Sequence, residues 1–150
     1  MLIQQWNKKL ERWELFGVGK ILGREGQSPI VKTMVQNSPK LSFSVLVGVR
    51  MKSETEKTYQ SVPCAVYRNS NAKKTFDIAE TLKRRETILF AGWSRDRVGA
   101  DKVTGEVRVY KECNCEFILP IRLLASPDVP TNLDYRDAEI FIETDDGTLF

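Results

Sequence analysis

The chain has 150 residues, with 23 lysines and arginines, 20 aspartates and glutamates, and no histidine. Such a length fits one domain with short appendages, and 41% hydrophobic against 29% charged residues excludes a wholly disordered chain. The missing imidazole excludes Ser–His–Asp triads, Cys–His dyads and every zinc site that needs a histidine, which lowers the expectation of an enzyme without excluding histidine-free chemistry.

In residues 1–13, Leu2, Trp6, Leu10 and Trp13 stand at spacings of four, four and three, the stripe of a short amphipathic helix. A helix this short is marginal alone and has to dock, on its own domain or on a neighbouring copy through Trp6 and Leu10. The same segment, MLIQQWNKKLERWELF, carries charges where a signal peptide needs its apolar stretch, and no apolar run in the chain approaches a membrane span of roughly 18–20 residues. A cytoplasmic protein with reduced thiols and no membrane partner is therefore expected.

Residues 14–120 read as the main domain. WELFGVGKIL is a first strand, residues 23–27 a turn, and IVKTMVQ (30–36) an extension of the meander. In LSFSVLVGVRMK (41–52), Phe43, Val45, Val47 and Val49 alternate with Ser44, Leu46, Gly48 and Arg50, the period of a half-buried second strand. SETEK (53–57) is a polar hairpin loop before a third strand, TYQSVPCAVYR (58–68). One helix follows, AKKTFDIAETLKRR, capped by Ser70 or Asn71, with Phe76, Ala79, Leu82 and Ile78 as its apolar stripe and Lys83, Arg84 and Arg85 at its negative end. TILFAGWSRDRV (87–98) is the fourth strand, residues 99–106 a flexible loop, and VRVYKECNCEFIL (107–119) the fifth strand. Pro120, Pro127 and Pro130 mark the exit into an acidic tail, residues 121–150. The charge is split: residues 1–126 carry +9 and residues 127–150 carry −6. A basic body suits a polyanion, and an acidic end suits a separate interaction segment. Three strands, one helix and two strands give an all-β chain with its helix between strands three and four, the order of a five-stranded Greek-key OB barrel.

Alternate residues of a strand share a face, which places Trp93, Arg95 and Arg97 together on the fourth strand. A ring beside two guanidinium groups suits single-stranded nucleic acid, the ring stacking on an unpaired base and the arginines contacting phosphate. A partly buried tryptophan with two solvated arginines is the simpler alternative. Tyr59 and Tyr67 lie opposite the Val62–Cys64–Val66 row, for base stacking or a subunit interface. Arg50, Lys52 and Lys57 flank the hairpin and are placed to track a nucleic-acid backbone. Arg108 and Tyr110 share a fifth-strand face with Glu106, Glu112 and Glu116, which makes that face less inviting to phosphate. Cys113 and Cys115 fall on one core row with Val107, Val109 and Phe117, and Cys64 on another. All three are expected to pack as small apolar side chains, with no metal and no cofactor.

From about Trp13 to Leu119 the sequence resembles the bacterial-type single-stranded DNA-binding proteins, including those of phages and conjugative elements. The resemblance is carried by FSVLVGVRMKSETEKTYQSVPCAVYRNS, by AKKTFDIAETLKRRETILFAGWSRDR and by TGEVRVYKECNCEFIL. It implies a non-catalytic protein that coats single-stranded DNA in replication, recombination or conjugative transfer. Tyr67 matches a stacking position of the family, Tyr59 lies near another, and Arg95 and Arg97 match basic positions after the glycine of strand four. Arg85-Glu86 replaces the usual Lys-Gly turn, and the long Gly/Gln/Pro-rich linker is missing. The tip Asp145-Asp146-Gly147-Thr148-Leu149-Phe150 resembles the family's acidic tip, which recruits replication and repair partners. The family also implies a homo-oligomer, a tetramer or a dimer. An OB-fold adaptor that binds protein in a replication or DNA-transfer complex is the alternative, and an RNA-binding module a third reading.

Overall fold

The computed structural model describes residues 2–51, 58–69, 72–123 and 141–142. The strands are β1 (Leu2–Asn7), β2 (Arg12–Ile21), β3 (Val31–Val35), β4 (Ser38–Met51), β5 (Thr58–Tyr67), β6 (Thr87–Ala100), β7 (Val107–Pro120) and β8 (Phe141–Ile142). One helix, α1 (Lys73–Glu80), lies between β5 and β6, and a 3-10 turn (Ile121–Leu123) follows β7. The chain is thus mostly β with one helix among the described residues.

The main sheet runs β1-β2-β6-β7-β5-β4-β3. It also returns on itself, because Lys20 and Ile21 of β2 pair with Leu46 and Val45 of β4. The pairings of β2, β4, β5, β7 and β6 therefore form a closed circuit. Two junctions in it are short: β2–β4, and the parallel β5–β7 contact of Cys64 with Cys113 and Ala65 with Asn114. At the first, a side chain on Gly19 would meet the Leu46 carbonyl and the Val45 and Val47 methyls within 3 Å, so glycine lets the two strands close.

Inward positions follow the period of two. Phe43, Val45 and Val47 of β4, Val62, Cys64 and Val66 of β5, and Ile88 and Phe90 of β6 are buried. The helix lays Phe76 and Ala79 over this core, and Leu82 beyond it is buried too. Thr75 Oγ1 donates to the Glu116 carbonyl at 2.8 Å, which ties the helix to β7. That carbonyl belongs to a bulge: Ala91 pairs with Phe117 and Gly92 with Cys115, leaving Glu116 without a register partner.

Several expectations are corrected. The N-terminal helix is a hairpin, β1 with β2, in which Trp6 faces Trp13 and Leu2 is fully buried. Asn7 Oδ1 accepts the N–H groups of Lys9 and Leu10, and Glu11 takes a positive φ of 49°, so the chain turns back at the point where a helix would continue. The internal helix ends at Glu80, earlier than expected, and has no basic residue in its last turn. Arg84 and Arg85 belong to the following turn instead. Arg84 Nε donates to the Gly23 carbonyl, and Arg85 donates its N–H to Ile21, with φ at 65°. The expected caps Ser70 and Asn71 lie outside the described residues, and the Asn69 side chain accepts the Ala72 N–H at 2.8 Å. The loop at 99–106 is a built turn: Asp101 Oδ1 accepts the N–H groups of Val103 and Thr104 at 2.7 and 3.0 Å.

The row Val107–Val109–Cys113–Cys115–Phe117 is not one core row. Val107 and Val109 are each 67% exposed because the β6–β7 ribbon runs past the end of the core there. Phe117 is exposed because the bulge at Glu116 reverses the alternation, turning Ile118 inward. Cys64 lies in the buried Val62–Cys64–Val66 row of β5, as expected, and is the register partner of Cys113.

Candidate nucleic-acid interface

The outer wall of β4, β5, β6 and β7 carries the expected rings. Tyr67 ends β5 and pairs across to Lys40 of β4. The Lys40 ammonium, the Arg95 guanidinium and the Arg97 guanidinium all lie 5.5–5.6 Å from the Tyr67 ring centroid. Arg95 also lies 5.8 Å from the Trp93 ring, whose other neighbour is Arg12 at 5.2 Å. Cations and rings thus alternate from Arg12 through Trp93, Arg95 and Tyr67 to Lys40. Each contact has the geometry of a cation–π attraction.

One carboxylate organises the centre of this wall. Glu112 is buried and accepts from Lys40 Nζ at 3.0 Å and from Arg97 Nε at 2.9 Å. Arg97 Nη2 donates to the Tyr67 hydroxyl. Arg97 is therefore a clamp on Glu112 and Tyr67 as well as a positive group, and its charge is largely answered at home. Arg95 differs: among the described residues no carboxylate pairs with it. Arg12 touches Glu14 Oε1 at 3.3 Å and Glu116 Oε1 at 3.5 Å.

Beside this band lies an open groove of about 600 Å³ on β4, β5 and β7, lined by Lys40, Ser42, Ser44, Ser61, Tyr110 and Glu112 among others. Ser42, Ser44 and Ser61 share the lining with Pro29, Val31, Phe43 and Pro63, so the groove is mixed and more apolar than polar. Tyr110 is 43% exposed at its rim and Tyr59 65% exposed further along β5. Arg108 points away into the ribbon end, paired with Glu106 at 3.0 Å.

The structure thus brings Trp93, Arg95, Arg97 and Tyr67 into one patch, with Tyr110 nearby and Tyr59 at a distance on the same face of β5. Arg50 lies on β4, opposite Phe141 of β8. Lys52, Lys57, Asp145, Asp146 and Phe150 lie outside the described residues. Trp6 and Leu10 sit at the turn end of the N-terminal hairpin, Trp6 edge-on to Trp13 with centroids 5.5 Å apart. Lys40, Arg12 and Glu112 complete the patch and were not singled out from the sequence as parts of it. Lys40 and Glu112 are 72 positions apart, so only the β4–β5–β7 pairing brings them together. Arg12 carried a weak signal, being one strand step from Glu14, the register partner of Trp93.

Among solved structures the chain is similar to the small single-stranded DNA-binding protein from Streptomyces coelicolor, with 15% identity, a TM-score of 0.51, and coverage of 73% of this chain and 94% of that one. It is also similar to the Plasmodium falciparum SSB in complex with ssDNA, with 9% identity, a TM-score of 0.51, and coverage of 67% and 83%. The chain shares their fold. No protein-family model and no curated protein sequence matches it. Among the described residues, no helix is long and apolar enough to cross a membrane.

Proposed function

We propose that the protein binds single-stranded DNA along the outer wall of a five-stranded OB barrel, the closed circuit β2–β4–β5–β7–β6, and catalyses no reaction. The observation that carries this reading is the alternation of cations and rings, Arg12–Trp93–Arg95–Tyr67–Lys40, beside an open groove. Rings accept any unpaired base, and the flanking cations follow the phosphates, so binding is tolerant of sequence. Tyr59, Tyr110, Arg50, Lys52, Lys57 and Arg108 are assigned to further contacts with the strand. Asp145, Asp146 and Phe150 are assigned to recruitment of partner proteins. Replication, recombination or conjugative transfer is the proposed setting.

The test is titration of a labelled oligo-dT at two salt concentrations, beside a duplex of equal length. Affinity for the single strand should fall with salt, by about 0.7 in log–log slope per phosphate neutralised. Trp93→Ala should cost about 1–3 kcal/mol in affinity. No loss on that substitution, or equal affinity for the duplex, would overturn the assignment.

An adaptor reading has its own observation. Ile3, Phe16 and Phe117 are exposed and stand in one register row with Ala91 across β1, β2, β6 and β7. Salt-insensitive association with a protein, and none with oligo-dT, would select it.

A further inference from the structure

The three cysteines of this chain converge on one point of its interior. Cys113 and Cys115 are two apart on β7 and face the same way, and Cys64 meets Cys113 across the parallel β5–β7 junction. All three are buried and unbridged, and their sulfurs lie within 4.8 Å of one another, Cys113 and Cys115 at 3.8 Å. All three sit in the apolar core as small side chains, as expected, but packing does not require that the three meet. The neighbouring inward positions are Val62, Val66, Phe90 and Ile118, and any small apolar side chain would fill the same space. Every sulfhydryl in the sequence has been brought to one place, in a chain without histidine.

We propose that Cys64, Cys113 and Cys115 form a three-sulfur site for a thiophilic metal ion of the zinc, cadmium or copper(I) class. An ion centred among sulfurs 3.8 Å apart would stand about 2.2 Å from each, against about 2.3 Å for a zinc–thiolate bond. With the third sulfur as far as 4.8 Å from the other two, it has to move in by up to about 0.8 Å to reach the same bond length. Thiolate ligands select soft ions over magnesium or calcium, and a trigonal set leaves a position for solvent or an added thiol. On binding, each sulfur exchanges its S–H bond for a sulfur–metal bond and the proton leaves to solvent. Cys64 also lines the open groove beside Lys40 and Glu112.

The experiment uses the full chain, reduced with a phosphine that does not bind metals, then unfolded and refolded with Cd(II). One ion per chain is expected, with the near-ultraviolet sulfur-to-cadmium absorption of three thiolates and a raised Tm. Cys64→Ser should remove a third of that absorption and weaken Cd(II) binding at least tenfold, while far-ultraviolet circular dichroism and a cooperative unfolding transition show that the variant is folded. Cys64→Ala is the second variant if serine is not tolerated. Should both variants unfold, the wild-type stoichiometry and absorption decide alone. Three titratable thiols with no stoichiometric cadmium absorption, or absorption unchanged by the Cys64 variants, would overturn the site. The readout does not depend on DNA binding, so it fails or succeeds separately from the functional reading above.

Discussion

Two arginines two positions apart on one strand differ in what surrounds them. Arg97 is tied to Glu112 and to the Tyr67 hydroxyl, whereas Arg95 meets only rings among the described residues. A phosphate gains more from the cation that is not already answered. Arg95→Ala should lower the salt slope of oligo-dT binding by about 0.7, the share of one phosphate. Arg97→Ala should lower it less and reduce stability instead, since it removes a partner of a buried carboxylate. Equal slope changes for the two would contradict this division. Glu112 anchors the patch from below. Glu112→Gln leaves Lys40 buried without a counter-charge and should destabilise the fold by about 3–5 kcal/mol, read as a lowered denaturation midpoint. The rings and Arg95 were legible in the sequence because strand period alone places Trp93, Arg95 and Arg97 on one face. The clamp was not, because no local pattern announces that Lys40 and Glu112 meet.

Among the elements, β2 and β4 to β7 were legible from alternation and turn residues, and the helix from the stripe Phe76–Ala79–Leu82; β3 was read only as an extension of the meander, and β4 begins at Ser38 rather than Leu41. The first segment was misread for a definite reason. A spacing of four is one step along a helical stripe and also twice the strand period, so Leu2 and Trp6 share a face in either state. Asn7 held the deciding signal, since its side chain folds back on the next N–H groups and starts a turn. The bulge in β7 was equally hidden, because an unpaired Glu116 is visible only once β6 is in place. Its partner, Gly92, shows why the site cannot drift. A Cβ there would stand 2.0 Å from the Asn114 carbonyl oxygen, which is backbone and cannot turn aside. Gly92→Ala should therefore destabilise the protein by at least about 1–3 kcal/mol, measured by denaturant unfolding. A neutral result would mean that β6 and β7 separate there more readily than their register suggests.

At the scale of the whole molecule, the sheet continues beyond its closed circuit at both ends, through β1 and β3. Edge strands offer unpaired backbone groups to another chain, and the β1–β2 hairpin adds the exposed Trp6 and Leu10 at its tip. If copies of this protein touch through that hairpin, the double substitution Trp6→Glu with Leu10→Glu should reduce the oligomer size seen by light scattering and the cooperativity of oligo-dT binding. Folding should be kept, because both side chains are outside the core. Unchanged size and cooperativity would place the contact elsewhere. The closed circuit itself has a mechanical consequence. It is a hoop fastened by two clasps of two residue pairs each, at Lys20–Ile21 and at Cys64–Ala65. Breaking either clasp costs few backbone bonds and turns the hoop into an open strip, with the long β6–β7 and β4–β5 ladders still intact. The curvature of the wall is thus set at its two weakest fastenings, far from where its strength lies.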